Sequence, residues 1–184
     1  RDSNISEVIL SGGDPLAARD SYLKWLLTQI DALKQVTTIR IHTRLPVVIP
    51  QRITSSLCQT LASLESKLVI VIHCNHGQEI DSSVQLAMQK LRATGATLMN
   101  QSVLLRGVND DATSLVSLSH KLFDMHVLPY YLHLPDRVAG TGHFLVNEQG
   151  GLDLVTKIRA LLPGYLVPRL VREDPGSASK TRLG

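Results

Sequence analysis

Ile5-Ser6-Glu7-Val8-Ile9-Leu10-Ser11-Gly12-Gly13-Asp14-Pro15-Leu16 is the stretch whose reading decides the fold. Val8, Ile9 and Leu10 are consecutive and apolar, so Ile5 to Ser11 reads as a buried strand. Gly12, Gly13 and Pro15 break it, and Tyr22 to Leu33 then repeats apolar residues at helical spacing. A buried strand, a glycine turn and an amphipathic helix make one βα unit. Two glycines in that turn are either an ordinary connection or a place where a ligand meets exposed backbone beside a helix N-terminus. The spacing matches neither the P-loop nor the dinucleotide fingerprint.

The same unit recurs along the chain. Strands are expected at Thr38–Thr43, Lys67–His73, Thr97–Leu105, Val127–His133 and Tyr165–Val171. Helices are expected at Ile53–Leu64 with Thr54 as N-cap, Ser82–Thr94 stopped by Gly95, Ala112–Met125 and Glu148–Leu162. Pro46 and Pro50 predict an extended, stiff connection from Arg44 to Arg52. Alternation of this kind implies an α/β fold on a parallel sheet, closed or part-closed as a barrel by right-handed crossovers. One domain spanning 1–184 accommodates it.

Polar residues collect where the strands end. Ser11 to Asp14, Thr43-Arg44, His73 to His76, Gln101-Ser102, His133 to Asp136 and Glu173 to Lys180 all lie at or just past C-terminal strand ends, the rim where parallel α/β folds bind ligands. His73, Cys74 and His76 suggest a metal, but neighbours on a strand point to opposite faces, which favours His73 as a hydrogen-bonding or stacking residue. Asp136 and Glu173 are either surface partners of Arg137 and Arg172 or an anionic pocket for a cationic group. Arg44, Arg52 and Arg106 suit an anionic ligand or a structural carbonyl. Lys180 follows the turn Pro175-Gly176 in the loop 172–181, and is either a solvated tail lysine or an amine held for a Schiff base with an aldehyde cofactor.

Composition narrows the classes further. The 184 residues carry a formal charge of +3, with scattered basic residues and few aromatics, which argues against nucleic acid. The longest apolar run, Leu68 to Ile72, is too short for a membrane span. Cys58 and Cys74 make no disulfide framework, and no signal-peptide pattern is present, so a cytoplasmic location is the expectation.

Five blocks, in this order, resemble the lysine 2,3-aminomutases: Ser11-Gly12-Gly13-Asp14; Thr43 to Thr54; Asn100-Gln101-Ser102 through Asp110; Pro129-Tyr130-Tyr131 with Asp136; and Pro175-Gly176 with Lys180. The resemblance implies a partial (βα)6-type radical S-adenosylmethionine barrel lacking its first strand, in an isomerase that moves the amino group of L-lysine from C2 to C3. It implies that Lys180 holds pyridoxal phosphate, that Asp136 and Glu173 grip the substrate ammonium, and that Ser11, Gly12, Gly13, Asp14, His73 and Gln101 lie near S-adenosylmethionine. Gly176-Ser177-Ala178-Ser179, in place of a glycine run, looks most like the branch that supplies (R)-β-lysine for modifying elongation factor P through its lysyl-transferring ligase. A homo-oligomer is compatible with the family. Free lysine for another pathway, a related amino acid such as glutamate, or a non-catalytic binding module are the alternatives. The family's [4Fe-4S] cluster needs a Cys-x3-Cys-x2-Cys motif that this sequence does not contain, so the chain is expected to be a C-terminal part, inactive alone, with the cluster cysteines upstream of Arg1.

Overall fold

The computed structural model describes residues 4–136, 140–177 and 179–184; Arg1, the pairing expected of Arg137, and Ala178 of the lysine loop lie outside the described residues. These fall into two compact units, residues up to His73 with Ile80–Met99, and Cys74–Glu79 with Asn100–Gly184. The strands follow one another in the sheet in chain order. That order belongs to a singly wound, barrel-type α/β fold, whereas a doubly wound sheet reverses direction partway. The expected fold class is therefore the observed one.

In the first unit, β1 (Glu7–Leu10), α1 (Asp20–Asp31), β2 (Thr38–Thr43), α2 (Leu45–Val48), α3 (Ser55–Ala62), β3 (Lys67–His73) and α4 (Ser82–Ala93) succeed one another. β1 pairs with β2 and β2 with β3, both parallel, with Leu10 opposite Ile41 and Thr43 opposite Ile72. The helices bury Leu23, Leu27 and Ile30 of α1, Leu57 and Leu61 of α3, and Met88 and Leu91 of α4, as 3.6-residue periodicity requires. Ile39, Ile41, Ile70 and Ile72 of the strands are buried in the same unit. Thr54 caps α3 by accepting from Leu57 N, as its position implies.

β4 (Thr97–Val103) leads into the second unit, which holds α5 (Ala112–Asp124), β5 (Leu128–His133), α6 (Glu148–Arg159), β6 (Arg169–Arg172) and β7 (Thr181–Arg182). β6 runs parallel to β5 and β7 antiparallel to β6. Leu104, Leu115, Leu132, Leu154, Ile158, Leu170 and Leu183 form one buried cluster there. Gly151 lets α6 approach that cluster closely, since a Cβ at this position would stand 3.0 Å from the Leu134 side chain and 3.2 Å from Leu170.

Four expectations need correction. The Arg44–Arg52 connection is not extended: Pro46 lies in the first turn of α2 and Pro50 opens a 3₁₀ turn, positions where proline's missing N–H costs nothing. β1 is not a buried strand, because it stands at the sheet edge and leaves Ile9 47% exposed. The glycine turn meets a 3₁₀ turn, Pro15–Ala17, ahead of α1, so the α1 dipole does not act on it. The sixth strand begins at Arg169 because Gly164–Leu166 forms a 3₁₀ turn, and β7 follows it where no strand was expected.

α5 provides a pH-dependent test of these caps. Hydrogen bonds from Ser114, side chain and backbone, hold the Asp111 carboxyl below the usual aspartate range. A depressed folded-state pKa adds stability that is complete above the unfolded value, about 3.9, and is lost as pH falls through the folded value. Asp111→Asn is expected to flatten the acid limb of a plot of Tm against pH below about pH 4.

Candidate active site

In the first unit, the strand-end residues form a tied loop. Gly12 and Gly13 have φ of +83° and +54°, successive left-handed conformations that side-chain-bearing residues adopt only with strain. Asp14 then turns back across the strand ends: Oδ1 accepts from Thr43 Oγ1 at 2.7 Å and from Leu16 N at 3.0 Å, and Oδ2 accepts from Arg44 N at 2.7 Å. Both carboxylate oxygens are thus engaged in shaping the loop. Ser11, Gly12 and Gly13 remain exposed, and no atom lies within 4 Å of where a Cβ would stand on either glycine. The loop therefore presents open backbone, suited to a polar ligand.

Arg52 does not serve as an anion site. Its Nε donates to Leu16 O at 2.6 Å, and its Nη2 donates to Ala18 O at 2.9 Å and to Asp20 at 2.7 Å, so the structural alternative holds. His73, half-buried at the end of β3, meets the ring of His42 edge-on with centroids 6.2 Å apart. His42 escaped the sequence reading. Its signal was there: it is two residues past Arg40 on the same strand face, in register with Val71.

In the second unit, the residues after β3 are pinned by an amide network. Asn100, 2% exposed, accepts from Cys74 N at 2.9 Å and donates to Cys74 O at 3.0 Å and to Ser102 Oγ at 2.9 Å. Ser102 Oγ itself donates to Cys74 O at 2.7 Å. Glu79 Oε1 accepts from the backbone N–H groups of Asn75 and His76 at 2.6 and 2.8 Å. Asn109 Nδ2 donates to Asn75 O and Val103 O at 2.8 and 2.9 Å. Cys74 is buried, with its thiol 3.4 Å from His76 O, and among the described residues no three His, Cys, Asp or Glu side chains group as a metal site. Gln101 lies half-buried between Asn100 and Ser102 on β4, alternating with them across the strand. Removing the Asn100 amide takes the acceptor from the buried Cys74 N–H, while Ser102 Oγ and Cys74 O keep each other, so Asn100→Ala is expected to cost about 1–3 kcal/mol in chemical denaturation of the intact polypeptide, and Ser102→Ala about 1 kcal/mol.

The lysine loop is a hairpin, not a frayed end. Arg172 pairs with Thr181 across β6 and β7, which places Glu173 and Lys180 at its neck. Their side chains form an ion pair, and the hydrogen bond from Lys180 holds the Glu173 carboxyl below the usual glutamate range. Lys180 Nζ stands 5.9 Å from the centroid of the Tyr131 ring. Arg172 donates from Nε to Asp174 Oδ1 at 2.7 Å and from Nη1 to Glu148 Oε2 at 2.5 Å, tying the turn to the start of α6. Hydrogen bonds from Arg172 first, then Thr181, hold Asp174 below the usual aspartate range, so one carboxylate clamps both sides of the hairpin.

Asp136 and Glu173 line a single cavity of about 600 Å³, together with Arg106, Asn147, Glu148 and Arg172. A second hollow, about 230 Å³, is lined by Glu173, Asp174, Ser177, Ser179 and Lys180. Glu173 borders both. The structure thus joins Asp136, Glu173 and Lys180, which are 37 and 7 residues apart in sequence. Arg172 serves the hairpin and does not pair with Asp136 or Glu173 in the contacts described. The amine with its adjacent acid fits an aldehyde-bearing cofactor, and the carboxylates of Asp136 and Glu173 fit a cation.

No protein-family model matches the chain. Curated proteins do. The chain is 52% identical over 179 residues to an L-lysine 2,3-aminomutase of Haemophilus influenzae, covering 97% of this chain and 53% of that protein. It is 49% identical over 179 residues to an L-lysine 2,3-aminomutase of Escherichia coli, covering 97% and 52%. A glutamate 2,3-aminomutase of Clostridioides difficile is 35% identical over 179 residues, covering 97% and 42%. The chain spans about half the length of these lysine 2,3-aminomutases.

Proposed function

We propose that this chain, 49–52% identical to lysine 2,3-aminomutases over the half of those proteins that it spans, belongs to that family and handles the amino acid and its aldehyde cofactor in an isomerase that converts L-α-lysine to (R)-β-lysine. One observation carries the reading: the Lys180 amine sits against Glu173, and Glu173 shares a cavity with Asp136. Asp136 and Glu173 on one cavity, with Glu148 engaged by Arg172, favour a substrate with a cationic side chain over one with an anionic side chain.

Pyridoxal phosphate would be held by Lys180, and when bound it supplies electron delocalisation to the migrating amino group. The protein's own share is to keep Lys180 oriented through the Asp174 clamp, to bind the substrate ammonium at Asp136 and Glu173, and to limit water at the half-buried amine. Ser11, Gly12, Gly13 and Asp14, with His73, and Gln101 on β4, are proposed to serve S-adenosylmethionine. The exposed, left-handed backbone of Gly12 and Gly13 supports that assignment for the loop. A [4Fe-4S] cluster does not fit the donors present, because Cys58 and Cys74 are two where three are needed. Its ligands are assigned outside these residues, to the remainder of a polypeptide of the relatives' length. The product is proposed to supply elongation factor P through its lysyl-transferring ligase, on the strength of the Gly176-Ser177-Ala178-Ser179 loop. No helix among the described residues is long and apolar enough to cross a membrane.

The test is anaerobic turnover by the intact polypeptide with pyridoxal phosphate, S-adenosylmethionine and a reductant. β-Lysine from L-lysine, with no β-glutamate from L-glutamate, is the expected result. Preferential turnover of glutamate would reverse the substrate assignment.

A further inference from the structure

We propose that Tyr131 forms the aromatic wall of the cofactor site, against which the planar ring carried by Lys180 packs. This rests on the reading of Lys180 given above, and extends it to a residue to which that reading assigns no role. Three features of Tyr131 carry the inference. First, Lys180 Nζ lies 5.9 Å from its ring centroid, so a planar ring bonded through that nitrogen is within reach of aromatic pairing with it, for which centroids stand about 4.5–7 Å apart. Second, the ring is held in place from its own strand. Tyr130 stacks on it with centroids 3.7 Å apart, their hydroxyls are hydrogen-bonded at 2.8 Å, and His133 meets it edge-on at 5.7 Å. Third, its strand is paired with the strand that leads into the lysine hairpin, with Tyr131 opposite Arg169, so one piece of sheet fixes both the wall and the amine.

Ion pairing alone does not account for this arrangement. Glu173 neutralises the Lys180 ammonium, and that pair needs no ring beside it. A preorganised aromatic face next to an amine is suited to a planar adduct of that amine. The adduct forms when the nitrogen condenses with an aldehyde carbon and releases water, without oxidant or reductant. On this account the hydroxyl of Tyr131 is dispensable and its π face is not.

The experiment uses the intact polypeptide as wild type, Tyr131→Phe, Tyr131→Leu and Tyr131→Met, each loaded with pyridoxal phosphate. Borohydride reduction followed by peptide mapping reports whether Lys180 carries the cofactor, which also shows that the site is folded. Equilibrium dialysis and visible-region circular dichroism report its affinity and its asymmetric surroundings. Wild type and Tyr131→Phe are expected to agree. Tyr131→Leu and Tyr131→Met are expected to retain labelling at Lys180 but to bind the cofactor about 2- to 12-fold more weakly, with most of the visible dichroism lost. Unchanged affinity and dichroism in both aliphatic variants, with Lys180 labelled, would overturn the role of Tyr131 and leave the lysine assignment standing. Labelling elsewhere in the wild type would remove both.

Discussion

Lys180→Ala in the intact polypeptide is expected to lower amino migration by at least about 10⁴-fold, since the cofactor then has no covalent anchor and no defined orientation. Borohydride reduction with a tritiated reagent should leave the 172–181 peptide unlabelled. Stability should change little. Lys180 is half-buried and its partner Glu173 is mostly exposed, so their ion pair contributes about 0–1 kcal/mol at most. Lys180→Arg separates charge from chemistry: it keeps a cation for Glu173 but no amine that condenses with an aldehyde, and should be as inactive as the alanine variant. Turnover by Lys180→Arg near the wild-type rate would mean that the residue acts only as a charge.

How much of this was open to sequence reading depended on whether a property was local. The βα alternation was legible because apolar periodicity is written into each segment, and Lys67–His73 and Ser82–Ala93 lie where the pattern puts them. Thr54 as a cap was legible for the same reason. The Arg44–Arg52 turns were not, because proline fits both an extended segment and the first turn of a helix, and only the surrounding packing decides. β7 is two residues long, below any periodic signal, and it exists through pairing with β6. That pair converts Lys180 from a tail residue into one held at a hairpin neck. Within the site, Asp136, Glu173 and Lys180 could be named from their strand-end positions. Tyr131, Asp174 and Arg172 owe their roles to contacts across elements, and nothing in their spacing announces those. Asp14 was legible as a rim residue, yet its engagement with Thr43 and Arg44 depends on β1 and β2 lying side by side.

The two carboxylates on the shared cavity provide the sharpest test of substrate identity. A charge-assisted hydrogen bond to an ammonium contributes about 1.5–3 kcal/mol, so Asp136→Asn alone should lower kcat/KM for L-lysine roughly 10- to 100-fold, mostly through KM. Glu173→Gln should cost at least as much, but it also removes the partner of Lys180, so its cofactor loading must be measured beside its kinetics. Asp136 has no such contact with Lys180 among those described and is the cleaner probe. The two effects converge on one bound cation and should not simply add. Discrimination between lysine and norleucine, which lacks the ammonium, is the readout that a merely structural role would not move, and it should collapse in the double variant. The pH dependence has a definite sign. The hydrogen bond from Lys180 depresses the Glu173 carboxyl, so Glu173 stays ionised below the pH at which an ordinary glutamate protonates, and its contribution fades only as pH falls through that lowered value. Full selectivity for lysine in the double variant, with cofactor loading intact, would show that the ammonium binds elsewhere and would remove Asp136 and Glu173 from the substrate site.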